Sequence, residues 1–396
     1  MKIIKVSDQL TKKDFHDTIR EIYKNDKTWV CPLDVEIEGI FNPERNSSFK
    51  KGEAERWILI DTNGKKIGRI AAFYDKNKAY NNDQPTGGIG FFECIDNQEA
   101  ANLLFDTAKN WLNEKGMQAM DGPVNFGENI NYWGLLIEGF THQGYGMQYH
   151  HPYYKALFEK YGFQIYFEQF TYHKNLNEPF PERQEKFARH VGTKEGYSFE
   201  HFSYKNKEKY IQNIVDIFNT VWADFHEDYT PLQYDDILLM FEESKQVIVE
   251  EFIWFAYDNG EPVAMVVCFP DVNQVLKKLN GKLTLVNKIK FALNKKKINR
   301  ARQLITGVIP SHQKTYIIGA LFMSMIDGLR KNNIQELEMS WVGDYNVTVN
   351  KIYQMMELPV VKRHATYRFL FDQNAEFKRF TNEKAPKSEK LHKKDA

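Results

Sequence analysis

The apolar positions in the first half of the chain predict a hairpin that is followed by alternating strands and helices. Residues 57–60 and 67–73 are apolar runs, and the Asn63-Gly64 pair between them favours the tight turn of a β-hairpin. A third short apolar run lies at 89–93. We therefore expect a sheet to begin in this region.

A helical period appears next, over residues 98–115. The apolar side chains fall on one face of this predicted helix, and Gly116 is placed to end it. A strand near Met120 and a loop rich in glycine and aromatic residues precede a second helix over 153–160, which stops at Gly162. The apolar face of the first helix consists of Ala101, Leu104, Phe105, Ala108, Trp111 and Leu112.

The second half of the chain repeats this order of elements after a proline-containing segment at 175–183, which we interpret as a linker. A helix whose apolar residues include Ile214, Ile217 and Val221 opens the repeat. The other predicted elements are a hairpin of 252–257 and 263–269, strands at 303–309, 336–341 and 366–371, and helices at 318–329 and 346–356. The chain therefore contains a structural repeat.

The length of 396 residues also fits two domains better than one, because single hydrophobic cores stop growing well below that size. The repeat predicts an N-terminal domain over 1–178 and a C-terminal domain over 179–375. Residues 376–396 are rich in lysine and glutamate without an apolar period, so this tail is expected to be disordered.

Composition narrows the classes of function. With 53 basic and 53 acidic side chains the formal net charge is zero, so no global field favours nucleic acid, and no nucleic-acid partner is expected. Cys31, Cys94 and Cys268 lie far apart without a CxxC pair, which argues against a disulfide framework and against a metal site. The N-terminus lacks a signal-peptide core and no stretch has the length of a membrane helix, so we expect a cytoplasmic protein.

The order of hairpin, strand, helix, strand, helix and strand resembles the GNAT acyltransferase fold, and nearly the whole chain is covered as two copies. In the second copy, Gly307-Val308-Ile309-Pro310 resembles the end of the central GNAT strand, and residues 313–318 occupy the place of the family's Q/R-x-x-G-x-G/A pyrophosphate loop. The resemblance implies a mixed α/β (α+β) class with two tandem GNAT-like domains, each a mixed, mainly antiparallel sheet flanked by helices.

The same resemblance implies where a thioester would bind. Asn346, Val349 and Tyr353 fall on the family's N-x-x-A-x-x-x-Y pattern, in which the asparagine approaches the thioester arm and the tyrosine protonates the departing thiolate. Backbone groups at the strand end would bind the carbonyl, and the loop would bind pyrophosphate. The implied cofactor-binding residues are Thr306, Gly307, Val308, Ile309, Gln313, Lys314, Thr315, Tyr316, Ile317, Ile318 and Asn346.

The identity of the donor stays open between acyl-CoA and an acyl carrier protein. Tyr316 stands where the family has its first loop glycine, and Gly319 lies one position past the second. Because glycines let the backbone approach phosphate closely, this departure bears on coenzyme A binding. A carrier protein presents the same phosphopantetheine arm without the adenosine diphosphate.

Three residues are candidates for proton transfer. Tyr353 is the candidate acid, since a phenol with a pKa near 10 can protonate a thiolate; the alternative is a tyrosine packed on the core. Glu338 and Asp344 flank the strand end where an amine would enter, and either could relay a proton through water, although carboxylates are common at strand ends.

The first copy aligns His151, Tyr154 and Phe158 with the same pattern, so the acidic hydroxyl is missing and this copy is expected to be catalytically degenerate. Several segments are similar to the tandem-GNAT group that includes bacterial ceramide synthases, which acylate a sphingoid-type amine. These segments are Gly122-Pro123-Val124-Asn125, 134–140, His151-Pro152-Tyr153-Tyr154, Phe218-Asn219 with Trp222, 270–273, and Ser340-Trp341. The implied substrate residues are Asn125, His151, Tyr153, Tyr154 and Trp222; packing is the alternative for the histidine and tyrosines.

Residues 288–302 alternate basic and apolar side chains in a way that fits the surface of an anionic bilayer, so a peripheral contact with the inner membrane face is one expectation. The alternative is a solvated basic helix. Three hypotheses about function follow: a lipid or long-chain N-acyltransferase, an acetyltransferase or aminoacyl transferase acting on a small polar amine, and a non-catalytic protein that binds acyl thioesters.

Overall fold

The computed structural model describes residues 1–81, 83–127, 130–222 and 231–381. Across these ranges, no helix is both long enough and apolar enough to traverse a bilayer. The strands are β1 (Lys2–Lys5), β2 (Gly52–Ile60), β3 (Lys66–Asp75), β4 (Thr86–Cys94), β5 (Ala119–Gly122), β6 (Leu135–Glu138), β7 (Gln164–Asn175), β8 (Tyr197–His201), β9 (Ile253–Asp258), β10 (Glu261–Pro270), β11 (Arg300–Val308), β12 (Glu336–Gly343) and β13 (Val360–Leu370).

The helices surround this sheet. They are α1 (Gln9–Ile22), α2 (Asp34–Ile40), α3 (Lys76–Ala79), α4 (Gln98–Glu114), α5 (Tyr154–Tyr161), α6 (Glu182–Val191), α7 (Lys207–Trp222), α8 (Tyr234–Glu243), α9 (Asn273–Leu276), α10 (Leu285–Asn294), α11 (Ile317–Lys331) and α12 (Val347–Met355).

All the strands belong to one open sheet with the order β1-β2-β3-β4-β5-β13-β7-β12-β11-β10-β9-β8, and β6 pairs with the side of β13. Most neighbours are antiparallel; the parallel pairs are β4 with β5 and β11 with β12. The mixed, mainly antiparallel α/β class with flanking helices that the resemblance implies is therefore confirmed, and the sheets of the two halves are joined into one.

Local sequence signals explain the elements that flank the sheet. In α4 the Asn97 side chain accepts a hydrogen bond from the Ala100 N–H, and Gly116 (φ 83°) follows the last turn. Leu104 and Phe105 are fully buried against the sheet of the first half. Complete burial of such side chains contributes about 1.5–3 kcal/mol each.

The centre of the sheet is built from strands of both halves. β13, from the end of the chain, lies between β5 and β7, and its Ala365, Tyr367 and Phe369 belong to the hydrophobic core of the first half. In turn β7, from the first half, pairs with β12 of the second half. The division of the chain at residue 178 stays a prediction. Each of these two strands pairs with a strand from the other side of that division.

Several elements differ from the expectations. The predicted linker contains only 176–181, because β7 extends to Asn175 and α6 begins at Glu182. The basic segment 288–302 does not form one unit: α10 ends at Asn294, and Arg300 and Arg302 belong to β11, where pairing with β12 defines their place. α1, α2, α8 and β8 have no counterpart among the predicted elements.

The predicted tail is corrected over residues 376–381. The Phe380 ring lies 4.6 Å from that of Tyr345 and 5.7 Å from that of Tyr166, and Arg379 pairs with Asp344 at 2.5 Å. An aromatic side chain within a charged stretch therefore attaches the start of this segment to the fold. The rest of the predicted disordered tail, from residue 382 onward, lies outside the described residues.

Because β13 completes the core of the first half, Tyr367→Ala should destabilise the whole chain. Loss of this fully buried ring should lower the free energy of unfolding by about 3–5 kcal/mol, measured by urea denaturation. Val360→Ala, at the exposed end of the same strand, is the control and should change it by less than about 0.5 kcal/mol. A variant in which only the first half unfolds early, with the second half unchanged, would contradict the shared sheet.

Candidate active site

A wedge opens in the second half where the parallel strands β11 and β12 separate. The two strands pair from Arg300 opposite Glu336 to Gln303 opposite Met339 and no further. Beyond that point β11 stays on β10 as far as Val308, after a bulge at Leu304, while β12 stays on β7, with which it pairs from Glu336 to Gly343. The wedge, between residues 304–308 and 340–343, is the feature from which the site is built.

The edge of β11 that faces the wedge presents backbone donors. The Ile309 N–H donates to the Val263 carbonyl on the β10 side at 3.0 Å. Because hydrogen-bonding directions alternate along an antiparallel strand, the N–H groups of Val308 and Thr306 point away from β10, into the wedge. The resemblance implied that these backbone groups bind the carbonyl of a thioester.

Tyr353 of α12 lies at the apex of the wedge. Gln303 donates through Nε2 both to the Tyr353 hydroxyl oxygen, at 2.9 Å, and to Thr306 Oγ1, at 2.6 Å. The tyrosine is buried, and burial raises the pKa of its hydroxyl well above the usual value, so it carries its proton at neutral pH. Since Gln303 donates, the hydroxyl hydrogen stays available as a donor.

α12 is fixed against the wedge by a chain of polar contacts. The Tyr172 hydroxyl of β7 donates to Asn350 Oδ1 at 2.8 Å, and Asn350 Nδ2 donates to the carbonyl of Gly343, at the end of β12, at 2.9 Å. Asn346 caps the helix by accepting from the Val349 N–H at 3.2 Å. Its Oδ1 is therefore used to cap the helix, and its Nδ2 is the side-chain atom left for the predicted contact with the thioester.

The predicted pyrophosphate loop is a turn that leads into α11. Tyr316 adopts a left-handed conformation (φ 61°), the one that glycine favours at the family's first loop position, and its side chain is 62% exposed. The Phe187 ring of α6 packs edge-on against it at 5.3 Å. The Ile317 side chain is buried in the core, while its N–H lies at the start of α11. Gln313, Lys314, Thr315 and Ile318 lie in the same turn and first helical residues.

Buried charged side chains lie on the face of β11 and β12 that is opposite to Tyr353. Glu338 of β12 is buried, and its Oε1 contacts Lys362 Nζ of β13 and lies 3.5 Å from Arg300 Nη1. Arg302 of β11 is also buried; its Nε donates to Ser340 Oγ at 2.8 Å, and burial lowers its pKa to about 10. We call Arg302, Glu338, Ser340 and Lys362 the polar cluster.

Several polar atoms at or beside this cluster have no hydrogen-bond partner among the residues that the structure describes. Register places Gln169 opposite His364 and Thr171 opposite Lys362, and the Trp133 ring lies 4.5 Å from that of His364. Buried polar groups are almost always paired, so unpaired ones mark a place for a polar ligand or water. The atoms are Glu338 Oε2, Gln169 Nε2, Thr171 Oγ1, His364 Nδ1 and Trp133 Nε1.

The other candidate carboxylate has a different setting. Asp344 Oδ2 lies 2.5 Å from Arg379 Nη2, and Oδ1 accepts from the Tyr345 N–H at 3.0 Å. Its carboxylate is thus tied to the segment that follows β13. Of the two predicted proton relays, Glu338 is the one with a buried oxygen that has no partner among the described residues.

Trp222, the last residue of α7, is brought to the wedge. A Cβ built on Gly307 would lie 2.9 Å from the Trp222 ring, which stacks on Phe218 at 4.5 Å. The predicted substrate residue and the predicted thioester strand are therefore neighbours. A side chain at position 307 would push the ring away.

The corresponding wedge in the first half is filled by its own chain. β4 and β5 pair only as far as Gly88 opposite Asp121, and the Val124 N–H then donates to the Ile89 carbonyl at 2.8 Å. A Cβ on Gly90 would lie 2.2 Å from the Val124 oxygen. Asn125 follows directly, so this predicted substrate residue belongs to the segment that closes the first wedge.

The remaining predicted substrate residues lie in the first half and contact its core. The Tyr154 hydroxyl is fully buried and donates to Glu93 Oε2 at 2.9 Å, and the Tyr153 hydroxyl donates to the Cys94 carbonyl at 2.8 Å. His151 stacks on Tyr23 at 4.4 Å. The Tyr154 hydroxyl is therefore enclosed and bonded within the core, while its role as a substrate residue stays a prediction.

Known proteins similar to this chain cover most of its length. No protein-family model matches the chain. It is 26% identical over 364 residues to a bacterial ceramide synthase of Caulobacter vibrioides, covering 89% of this chain and 93% of that protein. It is also 26% identical over 355 residues to protein YghO of Escherichia coli, covering 87% and 89%.

Solved structures show the fold. A tandem GNAT protein from the clavulanic acid biosynthesis pathway superposes with a TM-score of 0.55 at 10% identity, over 93% of this chain and 98% of that one. A GCN5-related N-acetyltransferase from Sphaerobacter thermophilus gives 0.52 at 11% identity, over 93% and 96%. The chain has the tandem GNAT fold, which confirms the resemblance and the two-copy architecture expected from the sequence.

The buried carboxyl of Glu93 makes a pH-dependent contribution to stability. Burial raises its pKa to about 7, although Arg69 lies 3.7 Å away, so folding favours the protonated form. This contribution is complete below the unfolded pKa near 4.5 and is lost as pH rises to about 7. Relative to the wild type, Glu93→Gln should therefore gain in melting temperature between pH 5 and pH 8. The exposed Glu114→Gln is the control, and parallel profiles for both variants would refute the shift.

Proposed function

We propose that the chain is an N-acyltransferase that moves an acyl group from a thioester to an amine at the wedge between β11 and β12. The observation that carries the proposal is the Tyr353 hydroxyl at the apex of that wedge, oriented by Gln303 beside Thr306. A proton donor and backbone N–H groups then lie at one opening in the sheet, and the polar cluster lies on the opposite face of the same strands. Acyl transfer needs these three components.

In the proposed reaction the thioester arm lies along residues 306–309, where the N–H groups of Thr306 and Val308 polarise the carbonyl. The amine nitrogen attacks the carbonyl carbon, the carbon–sulfur bond breaks, and the thiolate takes the proton of Tyr353. The burial that raises the pKa of the hydroxyl also raises the basicity of a thiolate formed beside it, so the proton transfer stays close to balanced.

The polar cluster is proposed to receive the amine. Glu338 Oε2, which has no partner among the described residues, would accept the proton that the amine loses on acylation. Tyr353 then regains the proton that it gave to the thiolate, and the proton released by the amine balances it. The neighbouring cations Arg302 and Lys362 favour the neutral form of a bound amine, the form with a free electron pair. We assign Glu338 as the base, Tyr353 as the acid and Trp222 as a wall of the site.

The proposed substrate is a long-chain amine of the sphingoid type. Support comes from the similarity to a protein named bacterial ceramide synthase over most of both chains and from the apolar Trp222 and Phe218 pair at the wedge. The donor is acyl-CoA or an acyl carrier protein thioester, which present the same arm to the wedge. The solved GNAT neighbours include N-acetyltransferases, so acetyl transfer to a small amine is the second candidate.

The first test is thiol release by the purified protein with acetyl-CoA, palmitoyl-CoA and palmitoyl acyl carrier protein, each with and without sphinganine. Release that requires both a long-chain thioester and the amine is the expected result, and the active thioester identifies the donor. Release with acetyl-CoA and a small polar amine would favour the second candidate. Thioester binding without release on either amine would indicate a binding protein and overturn the proposal.

Tyr353→Phe should lower kcat by about 100-fold, because the variant keeps the ring and loses only the proton that the thiolate takes. The dissociation constant for the thioester should stay within about twofold, since the arm binds mainly to the backbone. Turnover and calorimetric titration measure the two quantities.

Tyr257→Phe is the matched control for this variant. Tyr257 is a buried tyrosine of the same half, and its hydroxyl accepts from Asn213 at 2.8 Å, outside the wedge. Equal turnover in Tyr353→Phe and the wild type would remove Tyr353 from the mechanism.

A further inference from the structure

The connection between β10 and β11 contains α10, a helix whose exposed side is apolar. The outward side of α10 consists of Leu285, Val286, Ile289 and Leu293, which are 75%, 60%, 54% and 74% exposed. At 100° per residue these four side chains fall within about one third of the helix circumference. We call these four residues the outer face.

The inward side of α10 explains how the helix attaches to the fold. Phe291 packs on a small core formed by residues such as Val30, Val272 and Leu276. Asn287 donates through Nδ2 to the carbonyl of Lys282 at 2.7 Å and to that of Leu279 at 3.2 Å. The outer face is therefore not needed to anchor the helix, and ordinary solvated helices place polar side chains there.

Charge around the outer face has one sign. The chain as a whole has zero net charge, yet residues 272–299 contain eight lysines and no acidic residue. Lys288 and Lys290 border the outer face on its two sides, and Lys295–Lys297 forms a 3-10 turn directly after the helix. The lysines of the segment are Lys277, Lys278, Lys282, Lys288, Lys290, Lys295, Lys296 and Lys297.

We propose that the outer face of α10 docks on an anionic bilayer surface, with its four apolar side chains inserted at the level of the headgroups. An apolar face bordered by lysines matches the boundary between acyl chains and anionic headgroups, since lysine stems extend along the apolar side and place their ammonium groups outward. A second copy of the chain is the poorer occupant, because pairing two such faces would bring two lysine clusters together.

Contacts connect this surface with the interior of the second half. Asp271, at the start of the connection, is buried and accepts from the Tyr145 N–H at 3.0 Å, and the Tyr145 carbonyl accepts from Arg302 Nη1 at 2.5 Å. Asp271, in the connection that contains α10, is thus linked through Tyr145 and two hydrogen bonds to Arg302 of the polar cluster.

The test is co-sedimentation of the full chain with vesicles of phosphatidylcholine alone and with vesicles that contain about 30 mol% phosphatidylglycerol. The protein should bind the anionic vesicles and not the neutral ones, and binding should weaken as salt rises from about 0.1 M to about 0.5 M. Leu293→Glu should reduce partitioning about tenfold, because it removes an inserted side chain and adds a repelled charge. The assay contains neither thioester nor amine, so its outcome is separate from that of the activity test.

Leu10→Glu is the matched control. Leu10 is also an exposed leucine on a helix, 67% exposed, and it lies in the first turn of α1, where a carboxylate is tolerated. This variant should bind vesicles like the wild type, and both should keep the wild-type melting temperature. Equal binding of Leu293→Glu and the wild type would overturn the proposal. So would a dimer that Leu293→Glu dissociates while neither protein binds vesicles, since the face would then join two protein chains.

Discussion

The antiparallel pairing of β13 with β7 is the constraint on which the rest of the structure depends. This ladder runs from Val360 to Arg368 on one strand and joins the sheets of the two halves into one. On one side of it β13 completes the first core, and on the other side β7 pairs with β12 from Glu336 to Gly343, including the part where β12 has left β11. β12 can separate from β11 because its other edge stays paired with β7.

That arrangement also determines the electrostatics of the candidate site. Arg302, Glu338 and Lys362 come from β11, β12 and β13, so only the shared sheet places them together. Removal of such charges from water costs several kcal/mol per ion, and complete pairing is needed to offset it. Here Glu338 Oε2 and His364 Nδ1 stay without partners in the part of the chain that the structure describes, and burial lowers the pKa of His364 to about 3. Incomplete pairing at this cost is typical of functional sites.

Sequence patterns predicted the local elements and missed the long-range ones. α4 and α11 have strong apolar faces, and the hairpins β2–β3 and β9–β10 carry the turn signals Asn63-Gly64 and Asn259-Gly260, so a single-sequence argument finds them. The capping box of Asp8 and Thr11 is a local signal for the start of α1. The exchange of β7 and β13 leaves no local signal, because strand pairing depends on residues far apart in sequence. The family pattern indicated Tyr353 because that pattern lies within one short segment. Gln303 and Lys362 contact residues that are distant in the sequence, so only their contacts in the structure identify them.

The position of β13 has a consequence for biosynthesis. Roughly 185 residues separate the end of β7 from the start of β13, and at 5–20 residues per second a ribosome needs about 10 to 40 seconds to add them. During that time the nascent first half has an unfilled slot between β5 and β7, with open backbone edges and an exposed apolar interior. The N-terminal half therefore cannot complete its fold first and alone, as N-terminal domains usually do, and its folding is completed only after β13 has been translated.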